Sequence, residues 1–350
     1  MKVLVLGGTG AMGIHLVQLL SNKGIETFVT TRKNIKSESN VKYLHGNAHE
    51  IGFLKLILQE KWDAIVDFMV YTTNGFNERI NMLLNATTQY IFLSSARVYA
   101  DSDKPINETF PRLLDISQDK EYLSTDEYSL TKARQEDLLK KSGCNNWTII
   151  RPYITYSENR LQLGVLEKEE WLYRALHGRT IIFSRDINSK ITTLTYGLDV
   201  SKGIFAVIGN SKSLGNILQI TNSYSNSWEE ILDIYLQTLK KHLGYKPKVL
   251  LLDLEKFLEY KPAKYQILYD RLFNRQFNNF RIAQYINIES FVKPEIGLEN
   301  CLDEFLINPQ FNNIDWKMEA MRDKLMGENT LLQEIKGIKQ KIKYLIYRYI

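Results

Sequence analysis

The sequence predicts an α/β fold: a doubly wound parallel sheet over residues 1–160, a segment near 192–216 that returns to it, and a smaller C-terminal α/β lobe over 161–350. Three observations predict it. Short apolar runs alternate with helical patterns through the first 150 residues, the first of those runs passes straight into a glycine-rich turn, and beyond about residue 155 the alternation gives way to longer polar connections and clustered aromatics.

In chain order, VLVL (3–6), TFVT (27–30), AIVDF (64–68), YIFLS (90–94) and WTIIR (147–151) are short, strongly apolar runs that read as buried strands. Helical patterns lie between them at 11–22, 49–60, 74–86 and 126–142. The tail from Thr330 sets Leu331, Ile335, Ile338, Ile342, Leu345 and Tyr349 at steps of four and three among lysines. That spacing predicts an amphipathic helix over about 330–349 whose apolar stripe docks on the body or on a second subunit, with a basic membrane-surface helix as the alternative.

Composition narrows the class. The 350 residues are 44% hydrophobic and 24% charged, the ordinary globular balance, which excludes a disordered chain. Forty-five basic against 40 acidic residues leave a formal charge of +5, suited to a small anionic substrate and too weak for a nucleic-acid-binding composition. Cys144 and Cys301 are too few for a disulfide framework, so a reducing cytoplasm is expected. No apolar run is long enough to span a membrane and the opening MKVLVLGGTG does not read as a signal peptide. The five histidines are scattered, and no metal is expected.

VLVL runs into GGTGAMG, placing Gly7, Gly10 and Gly13 in a G-x-x-G-x-x-G pattern, with Thr9, Ala11 and Met12 between them, just before the helical residues Ile14, Leu16, Val17 and Leu20. Glycines in this setting let the backbone turn tightly against a pyrophosphate at a helix N-terminus, the arrangement of a Rossmann dinucleotide site. The end of the second strand reads VTTRK, with Thr31, Arg32 and Lys33 where a carboxylate would hold an adenosine ribose. A guanidinium there pairs with a 2′-phosphate, which favours NADP (NADPH) over NAD.

Tyr128 and Lys132, four residues apart in STDEYSLTKARQE, share one face of the helix over 126–142, which a capping box of Ser124 and Glu127 would open. An adjacent ammonium stabilises a phenolate and so makes tyrosine a usable acid and base near neutral pH. Ser95, in FLSSARVYA, follows the YIFLS strand at the same rim as the glycine loop and is placed to hold a substrate oxygen.

With GGTGAMG, SSARVYA, YSLTK and RPYITY followed by Arg160, the first 200 residues or so resemble the extended short-chain dehydrogenase/reductase superfamily, in its branch of nucleotide-sugar epimerases, dehydratases and reductases. The resemblance implies that Ser95 orients substrate, that Tyr128 is the acid/base, and that Lys132 lowers the tyrosine pKa and contacts the nicotinamide ribose. It also places Asn47, in HGNAHE, where relatives have an aspartate beside the adenine. Related dehydratases carry Asp-Glu where this chain has Ala96 and Arg97, so elimination is not expected. The expected reaction is reduction of a sugar C4 ketone by NADPH, with epimerisation through transient oxidation as the alternative. A non-catalytic NADP sensor or scaffold and a reductase of unphosphorylated carbonyls are the rival readings. The substrate would be a sugar on a nucleoside diphosphate, with Arg97, Arg160, Arg271 and Arg275 as candidate contacts, Trp171 and Tyr173 as stacking candidates, and 100–124 as a candidate flap. A homodimer is expected.

Overall fold

The structure, a computed structural model, describes all residues 1–350, in two compact units. The first comprises Met1–Ser157, Thr193–Ser225 and Arg275–Pro294; the second comprises Glu158–Thr192, Asn226–Asn274 and Glu295–Ile350.

Seven strands of the first unit form one parallel sheet: β1 (Lys2–Leu6), β2 (Glu26–Thr31), β3 (Val41–His45), β4 (Ala64–Asp67), β5 (Tyr90–Leu93), β6 (Trp147–Pro152) and β7 (Asn216–Ile220). Their order is β7-β6-β5-β4-β1-β2-β3. The strand order therefore reverses between β1 and β4, where a doubly wound sheet opens its ligand crevice. Six helices flank it: α1 (Gly13–Asn22), α2 (Ile51–Ile57), α3 (Thr73–Asn77), α4 (Ile80–Asn85), α5 (Tyr128–Lys141) and α6 (Gly197–Val207).

Both sheet faces are apolar because successive side chains alternate sides. Val3, Val5, Val66, Ile91 and Ile150 pack with Leu16 and Leu20 of α1 and Val200 and Ile204 of α6. Leu4, Leu6, Ile65, Phe92 and Ile149 pack on the opposite face with Leu54 of α2, Leu83 of α4 and Leu139 of α5.

The five strands read from the sequence are present; β7, at the end of the expected returning segment, has no counterpart among them, and neither does β3. β3 is an edge strand in which only Val41 is buried, so its residues VKYLH lack the apolar run that marks the others. The helical pattern 74–86 is two short helices, and the first is capped by Thr72, whose Oγ1 accepts from Gly75 N at 3.0 Å. Residues 275–294, expected in the second lobe, belong to the first unit. Asn279 there exchanges hydrogen bonds with Thr221 just beyond β7, at 2.9 Å each way, and Val292 N donates to buried Asp199 at 2.7 Å. The segment 100–124 is tied down in the first unit: Ile106 N donates to Gln276 O at 2.8 Å, and buried Glu108 accepts from Gln219 N of β7 at 2.9 Å.

The second unit is mostly helical. Its longest helix, Trp228–Leu243, opens on a Ser227/Glu230 capping box and closes at Gly244 in the left-handed conformation. Its strands make only two short pairings, Ile181–Ser184 with Val249–Leu252 and Ile191–Thr192 with Asn226–Ser227. Arg174 is fully buried between Glu319 at 2.6 Å, Asp323 at 2.9 Å and Glu328 at 2.8 Å. Trp171 is stacked on Tyr235 with its indole N–H on Leu161 O, and Tyr173 donates to Glu334, so both aromatics serve packing in this unit.

The tail departs from expectation. The helix is only Ile338–Tyr349, because Gly337 stands at φ 85° and interrupts the turn before it. Its buried contact is Tyr344, which packs with Tyr173, Trp316, Ala320 and Ile335 and donates to Asp323 at 2.7 Å. Of the expected stripe, Ile335 alone is buried, and it precedes the helix.

Candidate active site

The glycine loop joins β1 to α1 at the switch point. Gly7 has φ +71°, which an L side chain rarely adopts. A Cβ on Gly13 would come within 2.6 Å of the Gly8 backbone, so α1 starts in direct contact with the loop. A Cβ on Gly10, by contrast, would meet nothing within 4 Å, and Thr9 and Gly10 are exposed. The loop is thus a tight turn with an open concave side at a helix N-terminus, which fits a pyrophosphate. Met12 O accepts from Ser201 Oγ of α6 at 2.7 Å, and Gly7 N donates to Thr30 Oγ1 of β2 at 3.1 Å, so the loop is anchored from two elements. Ala11 O lies where a side chain on Gly197 would collide with it, at 2.5 Å from that Cβ.

At the end of β2, Thr31 is buried and its Oγ1 accepts from Lys33 N at 3.1 Å, while Arg32 and Lys33 are exposed. Arg32 lies near His49, whose imidazole is pushed below its ordinary pKa by burial, by Arg79 and by Arg32. Asn47 shapes the turn into α2, accepting from His49 N at 3.1 Å and donating to Glu50.

β5 ends at Leu93, and Ser95 follows in extended backbone, its Oγ accepting from Arg97 N at 3.2 Å. α5 begins at Tyr128. Its cap is Glu127, whose carboxylate accepts from Ser129 N and Oγ at 2.7 and 2.6 Å. The expected capping box is therefore absent: Ser124 closes the preceding short helix Lys120–Ser124, with its hydroxyl on Glu121 O. Lys132 reaches back from α5 to β5 and donates to Leu93 O at 2.7 Å; its ammonium lies 4.6 Å from the Phe92 ring centroid and 5.9 Å from that of Tyr128. Arg97 covers the same tyrosine ring at 5.2 Å and pairs with Glu127 at 2.5 Å. Lys132 and Arg97 thus both lie over the Tyr128 ring, and Lys132 meets β5 at Leu93, two residues before Ser95.

Lys132 is buried, and burial pulls its pKa down to about 8 against the raising influence of Asp67 and Glu136. A lysine whose folded pKa lies below its unfolded value binds fewer protons when folded, so stability from this group rises with pH between about 8 and 10.5, and the full cost, on the order of 3 kcal/mol, applies below 8. Lys132→Met is expected to raise the unfolding midpoint in urea at pH 7, to lose this advantage by pH 10, and to abolish turnover at both. Equal stability offsets at the two pH values would remove the charge from the explanation.

Behind these groups stands a buried network. Glu136 of α5 accepts from Arg151 of β6 at 2.8 and 2.5 Å and from Ser94 at 2.6 Å, with Arg112 at 3.4 Å. Asp67, at the end of β4, is fully buried and accepts from Tyr90 at 2.7 Å and Met69 N at 2.9 Å. Burial raises its pKa against the pull of those bonds and of Lys132. Sequence reasoning missed both carboxylates, although an aspartate inside the apolar run AIVDF was a readable signal.

Residues 3–220 match the NAD dependent epimerase/dehydratase family. The chain belongs to this family. The chloroplast stem-loop binding protein of 41 kDa b of Arabidopsis thaliana is 28% identical over 242 residues, covering 63% of this family member and 58% of the plant protein. UDP-glucose 4-epimerase of Streptococcus mutans is 28% identical over 137 residues, 32% of this chain and 41% of that enzyme. The chain thus spans less than two thirds of the curated relatives it matches. UDP-glucuronic acid 4-epimerase from Bacillus cereus, solved with UDP-glucuronic acid and NAD, superposes with a TM-score of 0.65 over 88% of this chain and 99% of that one at 18% identity, a likeness of fold.

The candidate substrate arginines are dispersed among different settings in this family member. Arg97 sits on Tyr128, and Arg160 is exposed in the second unit. Arg271 is buried in the second unit, donating to Gly164 O at 2.9 Å and pairing with Asp270. Arg275 is buried in the first, donating to Ala100 O at 2.8 Å and Tyr99 O at 2.9 Å. Arg271 and Arg275 thus brace backbone, which runs against their expected place in a diphosphate clamp.

Proposed function

We propose that this chain is a nucleotide-sugar 4-epimerase that works by transient oxidation at the sugar C4, with NADP preferred to NAD. The observation that carries the reading is Lys132 of α5 lying near the Tyr128 ring while it bonds Leu93 O, two residues before Ser95, at the carboxyl end of the sheet that also bears the glycine loop. The related epimerases, one of them solved with UDP-glucuronic acid and NAD, support it. Gly7, Thr9, Gly10, Ala11, Met12 and Gly13 would hold the pyrophosphate, Thr31, Arg32, Lys33 and Asn47 the adenosine end, and Tyr128 and Lys132 the nicotinamide ribose. The cofactor supplies a hydride acceptor that returns the hydride later.

Tyr128 takes the proton of the C4 hydroxyl as the hydride leaves carbon, and the Lys132 ammonium stabilises the phenolate. Ser95 Oγ holds the reacting oxygen. After the keto sugar turns over, Tyr128 returns the proton to the oxygen on the other face. Ala96 and Arg97 supply no acid/base pair for eliminating water, so dehydration is not part of the reading.

UDP-glucose and UDP-glucuronic acid incubated with the enzyme and NADP or NAD should yield the C4 epimer at unchanged mass, resolved by NMR. A gain of two hydrogens when a 4-keto sugar nucleotide is incubated with the enzyme and NADPH would instead establish net reduction, the reading that a 2′-phosphate preference at Arg32 and Lys33 favours. Neither product from any sugar nucleotide would overturn both. For the cofactor, Arg32→Asp should weaken NADP binding roughly 10- to 100-fold in calorimetry, the worth of a charged hydrogen bond, and leave NAD binding unchanged or tighter. An equal loss for both cofactors would place Arg32 away from the 2′ position.

A further inference from the structure

The helix Ile338–Tyr349 carries two distinct faces. Tyr344 is 1% exposed, whereas Ile338 is 76%, Ile342 53%, Ile346 45% and Tyr349 63% exposed. At 3.6 residues per turn, Ile338, Ile342, Leu345, Ile346 and Tyr349 occupy one arc of about 100° turned away from Tyr344. Lys339 and Lys343 border that arc on one side, and Lys341 and Arg348 on the other. Lys343 is steadied by Asp315 at 3.4 Å, Arg348 donates to Glu328 O at 3.0 Å and Tyr349 OH donates to Asn329 at 3.0 Å, so the helix is held through Tyr344 and along its flanks while Ile338, Ile342 and Ile346 face solvent.

The charge is as uneven as the apolarity. Residues 336–350 contain Lys336, Lys339, Lys341, Lys343 and Arg348 and no acidic residue. Those five account for the entire formal excess of +5, and the other 335 residues are balanced.

We propose that this helix is a docking surface for an anionic lipid bilayer, lying in the plane of the interface with its apolar arc among the acyl chains and its lysines at the headgroups. An exposed aliphatic arc flanked on both edges by cations is what a negatively charged interface accommodates. Self-pairing is disfavoured by the same charges: two such helices face to face would bring lysine rims together with no acidic residue of the helix to answer them. A nucleic acid would use the lysines and leave the isoleucines in water.

The test is co-sedimentation of the full chain with vesicles of mixed phosphatidylserine and phosphatidylcholine against pure phosphatidylcholine. The protein should pellet with the anionic vesicles and be released by salt. Lys339→Gln with Lys341→Gln should weaken binding roughly 25-fold, at about five-fold per cation. Ile342→Glu with Ile346→Glu should remove it, with the thermal midpoint and NADP affinity unchanged, since both side chains are exposed and remote in sequence from the glycine loop. Failure of the wild type to pellet overturns the proposal, as does pelleting that survives Ile342→Glu with Ile346→Glu. A dimer in light scattering that this double variant converts to monomer, without vesicle binding, would assign the face to a second copy. Binding of a stem-loop RNA in place of vesicles, unaffected by the same variant, would assign it to nucleic acid.

Discussion

Tyr128→Phe is expected to lower turnover by roughly 10²- to 10⁴-fold, the contribution of a positioned general acid/base, and to weaken NADP binding by no more than about ten-fold, the worth of one neutral hydrogen bond to the ribose. The substitution removes one oxygen and keeps the ring on which Arg97 rests. The ring contact survives, so the loss should fall mainly on kcat. The wild-type rate should also decline as pH rises through about 8, where Lys132 gives up the proton whose charge steadies the phenolate. Near-normal turnover of Tyr128→Phe on an accepted sugar nucleotide would take the proton transfer away from this residue. Cofactor binding lost together with turnover would indicate a structural role.

Glu136→Ala should cost about 3–5 kcal/mol of stability, the penalty of stranding a buried charge. The carboxylate is fully buried and answers Arg151, Arg112 and Ser94 at once, and Arg151 is itself nearly inaccessible beneath the Tyr99 ring. Glu136→Gln, which keeps one acceptor, should lose less. Burial alone would raise the Glu136 pKa, but the Arg151 charge, its hydrogen bonds and that of Ser94 outweigh burial and hold it below the usual carboxylate range. Its contribution is accordingly present at neutral pH and fades as acid protonates it, so the gap between wild type and Glu136→Ala should narrow on acidification. Urea unfolding at pH 7 and in mild acid measures both effects, and a gap that stays constant would contradict the electrostatic cause.

Much of the first unit is legible because a buried parallel strand leaves a continuous apolar run and a glycine loop leaves a spacing; β1, β2, β4, β5 and β6 and the loop at Gly7 to Gly13 follow from those two signals. β3 does not, since at the edge of the sheet it needs only one buried residue, Val41. Ser124 has the right side chain for a cap but sits one short helix too early, and Glu127 takes the position because its carboxylate reaches the Ser129 amide. The spacing of Tyr128 and Lys132 is visible in the sequence, whereas Arg97 against the same ring comes from a loop after β5 and only the folded chain brings it there. In the tail, a stripe at helical spacing reads as the packed side. The structure buries the opposite side instead, through Tyr344, whose ring packs on Trp316 and Ile335 and whose hydroxyl finds Asp323.

The first unit is written in three separate stretches of chain, the last ending at Pro294. During synthesis the β6 edge from Trp147 to Pro152 stands without its partner until β7 has emerged, and the Asn279 clasp on Thr221 follows only after the whole 226–274 stretch has left the ribosome. A nascent chain stalled before residue 216 would present an apolar strand to its neighbours, which makes this edge the place where a chaperone would be needed.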